Sequence, residues 1–130
     1  MSSASDTLMF QETRESAQVV DTQLKANASL LQALGAELRA NPPPFVVTCA
    51  RGSSDHAASY AKYVLETQLG IPTTSASPSI SSIYQIPQKL KGALFIAISQ
   101  SGQSPDLLRS AEAAQRAGAR ILAIVNVADS

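Results

Sequence analysis

The sequence holds one cysteine, Cys49, one histidine, His56, and no tryptophan. A lone thiol permits no internal disulfide, and these two residues leave a four-ligand zinc site almost nothing to draw on; no metal and no cofactor is expected. An unpaired thiol fits a reducing compartment, so the expected location is the cytoplasm. Charge is also scarce. Charged residues make up 15%, with ten basic side chains against ten acidic ones. That balance offers no basic excess to attract nucleic acid or an anionic membrane surface, and neither is expected as a partner. No apolar run approaches the ~20 residues that span a bilayer. The stretch from Met1 to Phe10 lacks a cationic start followed by an apolar run, so it does not read as a signal peptide.

What is present is apolar material: 45% of 130 residues, enough for a real core in one compact domain and too much for a disordered segment. Residues 5–40 read as helix, with Val20, Leu24, Ala28, Leu31, Leu34 and Leu38 near the helical period. The weaker helix formers Thr13, Ser16 and Gln18 mark the expected break, if the stretch is a pair. Asn41-Pro42-Pro43-Pro44 ends it, because proline lacks the N–H and restricts the residue before it.

Strand and helix then alternate. Phe45–Cys49 is a nearly continuous apolar run, as in a strand covered on both faces. Arg51-Gly52-Ser53-Ser54 breaks it. Residues 55–69 turn helical, with Ala57, Ala61, Val64, Leu65 and Gln68 expected along one side and Gly70 at the C-cap. Thr73–Ser82 reads as a short strand, a loop and a short helix. Ala93–Ile98 is a second buried-strand pattern, broken by Ser99-Gln100-Ser101-Gly102-Gln103. Ser104-Pro105-Asp106 is a helix start: serine as N-cap, proline in the first turn, aspartate at the positive end of the dipole. Leu107, Leu108, Ala111 and Ala114 supply its expected buried face, and Gly118 ends it. Ile121–Val125 is a fourth strand. The alternation predicts an α/β fold with a doubly wound parallel sheet and right-handed crossovers, preceded by a long helix or helix pair. The fourth strand is apolar almost throughout, unlike an edge strand facing water. A further strand or a partner is therefore expected beside it, the chain being the front of a longer protein or one half of a dimer.

In an open parallel sheet, ligands bind beyond the carboxyl ends of the strands, where the strand order switches. Two loops leave strands at that rim, Ala50–Ser54 and Ser99–Ser104, and each runs into a helix N-terminus. Unpaired first-turn N–H groups favour an anion, serine hydroxyls donate without bulk, and glycine lets the backbone approach closely. A phosphate monoester carries about two negative charges near neutral pH. Other phosphate loops are absent: there is no G-x-x-x-x-G-K-[ST], no G-x-G-x-x-G after a strand and no G-x-S-x-G.

Gly52-Ser53-Ser54 after one strand and Ser99-Gln100-Ser101-Gly102-Gln103-Ser104 after a later one resemble the SIS (sugar isomerase) family. The likeness is greatest to the isomerase half of glucosamine-6-phosphate synthase and to two-SIS-domain glucosamine-6-phosphate deaminases. Asn126–Ser130 is similar to a third family segment that lines the sugar site. The resemblance implies a flavodoxin-like sheet of order 2-1-3-4, a helical segment over 1–41 and a phosphosugar-binding domain over 42–130, part of a longer two-SIS protein. It also implies roles. Ser99, Gln100, Ser101 and Ser104 hold the phosphate, with Gly102 in their loop. Ser53 and Ser54 reach the ligand from the first loop, where Gly52 permits the approach. Val127 touches the sugar through its backbone, and Ser130 lies nearby.

The family's departures from this sequence also carry information. The chain begins Met-Ser-Ser and has no cysteine nucleophile at its start, so glutamine-dependent amination is not expected of it. Gln103 stands where synthases have glutamate, and no acidic residue occurs over 79–82. Both differences lean towards isomerase or deaminase relatives. The family's acid–base glutamate, ring-opening histidine and Schiff-base lysine lie in later segments, so no residue of this chain is expected to carry proton transfer. The implied activity of a complete protein is hexosamine-phosphate isomerisation and deamination; the alternatives are a non-catalytic phosphosugar sensor and the isomerase fragment of a glutamine–fructose-6-phosphate aminotransferase. The implied partners are a sugar phosphate and a second SIS domain or second subunit. Arg51 either offsets phosphate charge or makes a surface ion pair. His56 reads as structural or exposed, Cys49 as a small core residue, and Lys62 with Glu66 as a solvated helix pair.

Overall fold

The computed structural model describes residue 5 and residues 7–127, and the chain divides into two compact units, Met1–Pro42 and Pro43–Ser130. The first unit contains α1, Leu8–Ala26, and α2, Ala28–Ala40. It is a helix pair, and the break falls at Asn27 rather than near Thr13 to Gln18. Asn27 closes α1 through its N–H on the Gln23 carbonyl and stands as N-cap of α2. Thr13, Ser16 and Thr22 stay inside α1 because their hydroxyls donate to the carbonyls four residues back, those of Met9, Glu12 and Gln18.

The second unit is a parallel α/β sheet. Its elements are β1 Val46–Ala50, α3 Ser54–Leu69, β2 Thr73–Ser75, α4 Pro78–Ser82, β3 Leu94–Ser99, α5 Pro105–Arg116 and β4 Arg120–Val125. The strand order is β2-β1-β3-β4, all pairs parallel, with Val46 opposite Thr73 and Leu94, and Leu94 opposite Arg120. The chain winds from β1 to one edge, then crosses β1 to reach β3 and β4. The order therefore switches between β1 and β3, and the carboxyl ends of those two strands form the crevice where such sheets bind ligands.

Period-two alternation sorts the side chains. Val47, Cys49 and Phe95 face a core closed by Leu107 and Ala114 of α5, with Leu90, Ala93 and Ala119. Val46, Thr48, Leu94 and Ile96, all buried, point to the opposite face. There α3 contributes its one fully buried residue, Ala58. The inward side of α3 continues through the partly buried Ala61 and Leu65, while Ala57, Val64 and Gln68 are exposed, so the buried stripe is turned from the expected one. On α5, Leu107 and Ala114 are buried as expected, but Leu108 is exposed and Ser110 is buried in its place. A serine is tolerated there because its hydroxyl donates to the Asp106 carbonyl at 2.8 Å. At the far edge, the Thr73 N–H of β2 donates to Glu66 Oε1 at 3.0 Å. The other edge is β4, where Ile121 and Ile124 are exposed.

Candidate functional site

Both serine loops end at the crevice. Gly52, Ser53 and Ser54 follow β1, while Ser99, Gln100, Ser101 and Ser104 follow or close β3. Together with Arg51, Ile98 and Leu107 they line one recess of about 220 Å³. Sequence-expected residues from two segments almost fifty positions apart are thus brought to one place. Gly102 sits inside the second loop with φ +67°, in the left-handed region that glycine adopts without cost. Val127 is exposed beyond β4 and is not among the residues lining the recess. Ser130 lies outside the described residues.

The hydrogen-bond inventory of the rim differs from loop to loop. In the second loop, the Gly102 N–H donates to Ser99 Oγ at 3.1 Å and the Gln103 N–H to Ser101 Oγ at 3.3 Å. These two amides are thereby occupied by the loop's own serines. The serine O–H groups still point a donor elsewhere, since each hydroxyl oxygen is acting as acceptor. Ser104 occupies the N-cap position of α5, and Ser53 that of α3, yet neither side chain makes a capping bond. Among the described residues, the backbone N–H groups of Ser53, Ser54, Ser101 and Ser104 have no protein acceptor. The recess therefore combines unsatisfied amides at two helix starts with serine hydroxyls from both loops, a donor set matched to an anion with several oxygens.

Its charge is nearly neutral. Among the described residues, Arg51 is the one ionisable side chain on the recess, and it pairs with Asp106 in the first turn of α5. Of the two roles open to Arg51, the ion pair is present, with a partner expected from sequence only to face the helix dipole. The Arg51 hydrogen bond is the foremost reason that the Asp106 carboxyl is held below its ordinary range; the Leu107 N–H, 3.0 Å from Oδ1, adds to it. Lys62 and Glu66 form the expected exposed helix pair at 3.8 Å.

The remaining reactive types are placed elsewhere. Cys49 is fully buried, and burial pushes its thiol up to about 11, so it remains a protonated core residue. His56 lies in the first turn of α3, is exposed, and does not line the recess. Among the described residues no three His, Cys, Asp or Glu side chains are grouped to hold a metal ion.

Two larger concavities occur in the same unit. One of about 420 Å³ shares Arg51 and Gly52 with the recess and continues to Asp55, Ser79, Ser82, Ile83 and Asp106. Another of about 730 Å³ lies between α4, the segment after it and α5, and contains none of the residues of the two strand-to-helix loops. Size favours these two. The donor chemistry and the strand-order switch favour the smallest, and they decide the matter, because an anion is selected by aimed N–H and O–H groups rather than by volume.

Comparison with known proteins identifies relatives of the chain. The SIS domain family model matches residues 44–130. A glutamine–fructose-6-phosphate aminotransferase (isomerizing) of Symbiobacterium thermophilum is 36% identical over 97 residues, which is 73% of this chain and 15% of that protein. Among solved structures, a candidate phosphosugar isomerase from Silicibacter pomeroyi superposes with a TM-score of 0.89 at 41% identity, over 92% of this chain and 37% of that one. The C-terminal domain of a glucosamine-fructose-6-phosphate aminotransferase from Francisella tularensis gives 0.60 at 28% identity, over 68% and 25%. The chain thus spans about a seventh of the curated relatives it matches and less than two fifths of these solved chains.

Proposed function

Because the chain belongs to the SIS domain family, whose model covers residues 44–130, we propose that its crevice binds the phosphate of a hexose or hexosamine phosphate. Fructose 6-phosphate and glucosamine 6-phosphate are the ligands of choice. The observation that carries this is the meeting of Gly52-Ser53-Ser54 with Ser99-Gln100-Ser101 and Ser104 on one recess, with open amides on both loops. In this reading Ser99, Gln100, Ser101 and Ser104 hold the phosphate, Ser53 and Ser54 complete its shell, and Val127 and Ser130 lie towards the sugar.

A complete protein of this kind is a hexosamine-phosphate isomerase or deaminase. Residues 1–41 are its leading helical segment, 42–130 the front SIS domain, and a second SIS domain or a second subunit the partner. The exposed Ile121 and Ile124 on edge strand β4 support that partner. Phosphate clamping of this sort orients an open-chain sugar for proton movement between C1 and C2, and binding energy from the remote phosphate assists at the reacting carbon. One observation favours a second reading, a phosphosugar sensor: among the described residues, the recess lining offers Arg51 but no carboxylate or imidazole to move a proton. No described helix is long and apolar enough to cross a membrane, and the cytoplasm is the proposed location.

Calorimetric titration and thermal shift test the binding claim. Fructose 6-phosphate or glucosamine 6-phosphate at a hundredfold its Kd adds about 2.7 kcal/mol of stability, while unphosphorylated fructose leaves the melting temperature unmoved. Ser101→Ala weakens only the phosphorylated ligand. Equal responses to fructose and its phosphate sink the assignment.

A further inference from the structure

Arg51 is the first residue after β1, and Asp106 is the second residue of α5; their ion pair joins positions 55 apart in sequence. Among the described residues, no backbone hydrogen bond links residues 51–53 to residues 100–104, and no other side-chain hydrogen bond joins the two segments. Sheet register aligns the strands as far as Ala50 opposite Ile98. Beyond that point Arg51 and Asp106 supply the one polar tie across the crevice. Asp106 is firmly seated: one carboxylate oxygen accepts the Leu107 N–H at 3.0 Å, and its backbone carbonyl accepts the Ser110 hydroxyl at 2.8 Å. Arg51 reaches to it from the opposite loop and lines both the serine recess and the neighbouring 420 Å³ concavity, which Asp106 also lines.

We propose that the Arg51–Asp106 pair is a clasp that sets the spacing of the two serine loops, and that both residues are positioning residues for the phosphate end of the ligand. The inference rests on the sugar-phosphate reading above. Its physics lies in geometry rather than in global stability. The Arg51 side chain is 63% exposed, and a pair of that kind is worth about 0–1 kcal/mol to folding. Donors on both loops must nonetheless reach phosphate oxygens within about 2.7–3.1 Å together, and a misplacement of about 1 Å is enough to cost much of their combined effect. The arginine is also withheld from the ligand. Asp106 neutralises it, so the recess attracts through amides and hydroxyls and not through net charge. The lowered carboxyl keeps the clasp ionised in mild acid, and it loosens as pH falls below the ordinary aspartate range.

The rival role for Arg51 is direct phosphate ligation, and the two roles predict opposite signs at Asp106. Fructose 6-phosphate is titrated into the full chain and into Arg51→Ala, Asp106→Asn, the double variant and Arg51→Lys, with melting temperatures recorded for each. The clasp predicts about tenfold weaker binding for either single variant and no further loss in the double, since one tie is broken once. It also predicts partial recovery in Arg51→Lys and melting temperatures close to the parent. If Asp106→Asn tightens binding, Arg51 is a phosphate ligand and the clasp is wrong. Unchanged affinity in both singles, or losses that multiply in the double, overturn it as well. If the parent chain fails to distinguish fructose 6-phosphate from fructose, the sugar-phosphate reading falls and takes the clasp with it. Should Arg51→Ala not fold, the near-isosteric Asp106→Asn decides by sign alone.

Discussion

The two strand–loop–helix units, β1 to α3 and β3 to α5, are written in the same residue types and finish differently. β1 is buried along its whole length, and its loop is a single tight bend with Gly52 at φ +57°. Ser53 and Ser54 then enter α3 with hydroxyls that make no hydrogen bond and N–H groups that have no described acceptor. β3 is buried over its first half and partly exposed over its second. Its loop is longer and folded on itself, with Ser99 and Ser101 accepting from Gly102 and Gln103. Serine thus has two parts at one rim. In the second loop it is scaffold first, and its remaining O–H is aimed by a bond already made. In the first loop it is uncommitted and can follow the ligand.

The largest test of this contrast bears on β3 itself. Phe95 is 1% exposed and shares the core cluster with Leu107, so Phe95→Ala is expected to remove about 3–5 kcal/mol in urea unfolding. Ile98, on the same strand but at the half-open rim, is expected to lose less than half of that on truncation to alanine. Equal costs at the two positions would mean that the strand has no open end to offer a ligand.

Next in size comes a matched pair of serines. Ser54→Ala and Ser99→Ala are each expected to weaken fructose 6-phosphate binding about tenfold, near 1.4 kcal/mol. Only Ser99→Ala also lowers stability in the absence of ligand, by about 1 kcal/mol, because the partly buried Gly102 N–H loses its acceptor. A Ser54→Ala variant that melts as early as Ser99→Ala would erase the distinction between scaffold and uncommitted serine.

Much of this arrangement was legible in the sequence, for identifiable reasons. Asn41 to Pro44 stop a helix by covalent geometry, and Ser104-Pro105-Asp106 start one by local chemistry, so those borders need no knowledge of the rest of the chain. The 2-1-3-4 order follows from the alternation of strand and helix together with the family resemblance, and the sheet has it. What escaped depends on distance or on a single bond. The Asn27 junction lies past Thr13, Ser16 and Gln18, where the break was expected; Thr13 and Ser16 stay helical with their hydroxyls donating to the Met9 and Glu12 carbonyls four residues back. Ser110 is absent from the expected buried face of α5, because nothing local shows that its hydroxyl donates to the Asp106 carbonyl. The link between Arg51 and Asp106 has no local signature at all, because the two meet only when β1 and β3 lie side by side.

The smallest expected effect probes how far the first loop can give. A Cβ on Gly52 would meet nothing within 4 Å, so Gly52→Ala brings no clash, only the cost of holding an L-residue at φ +57°. That conformational cost is about 1 kcal/mol. A loop whose serine hydroxyls hold no bonds can relax part of the strain by shifting, and the loss of stability by urea unfolding should stay at or below that figure. The shift has a consequence elsewhere: it carries Ser53 and Ser54 away from the second loop, so fructose 6-phosphate affinity should fall by more than stability does. If stability falls by several kcal/mol, the first loop is as rigid as the second. If affinity is untouched, its serines do not reach the ligand.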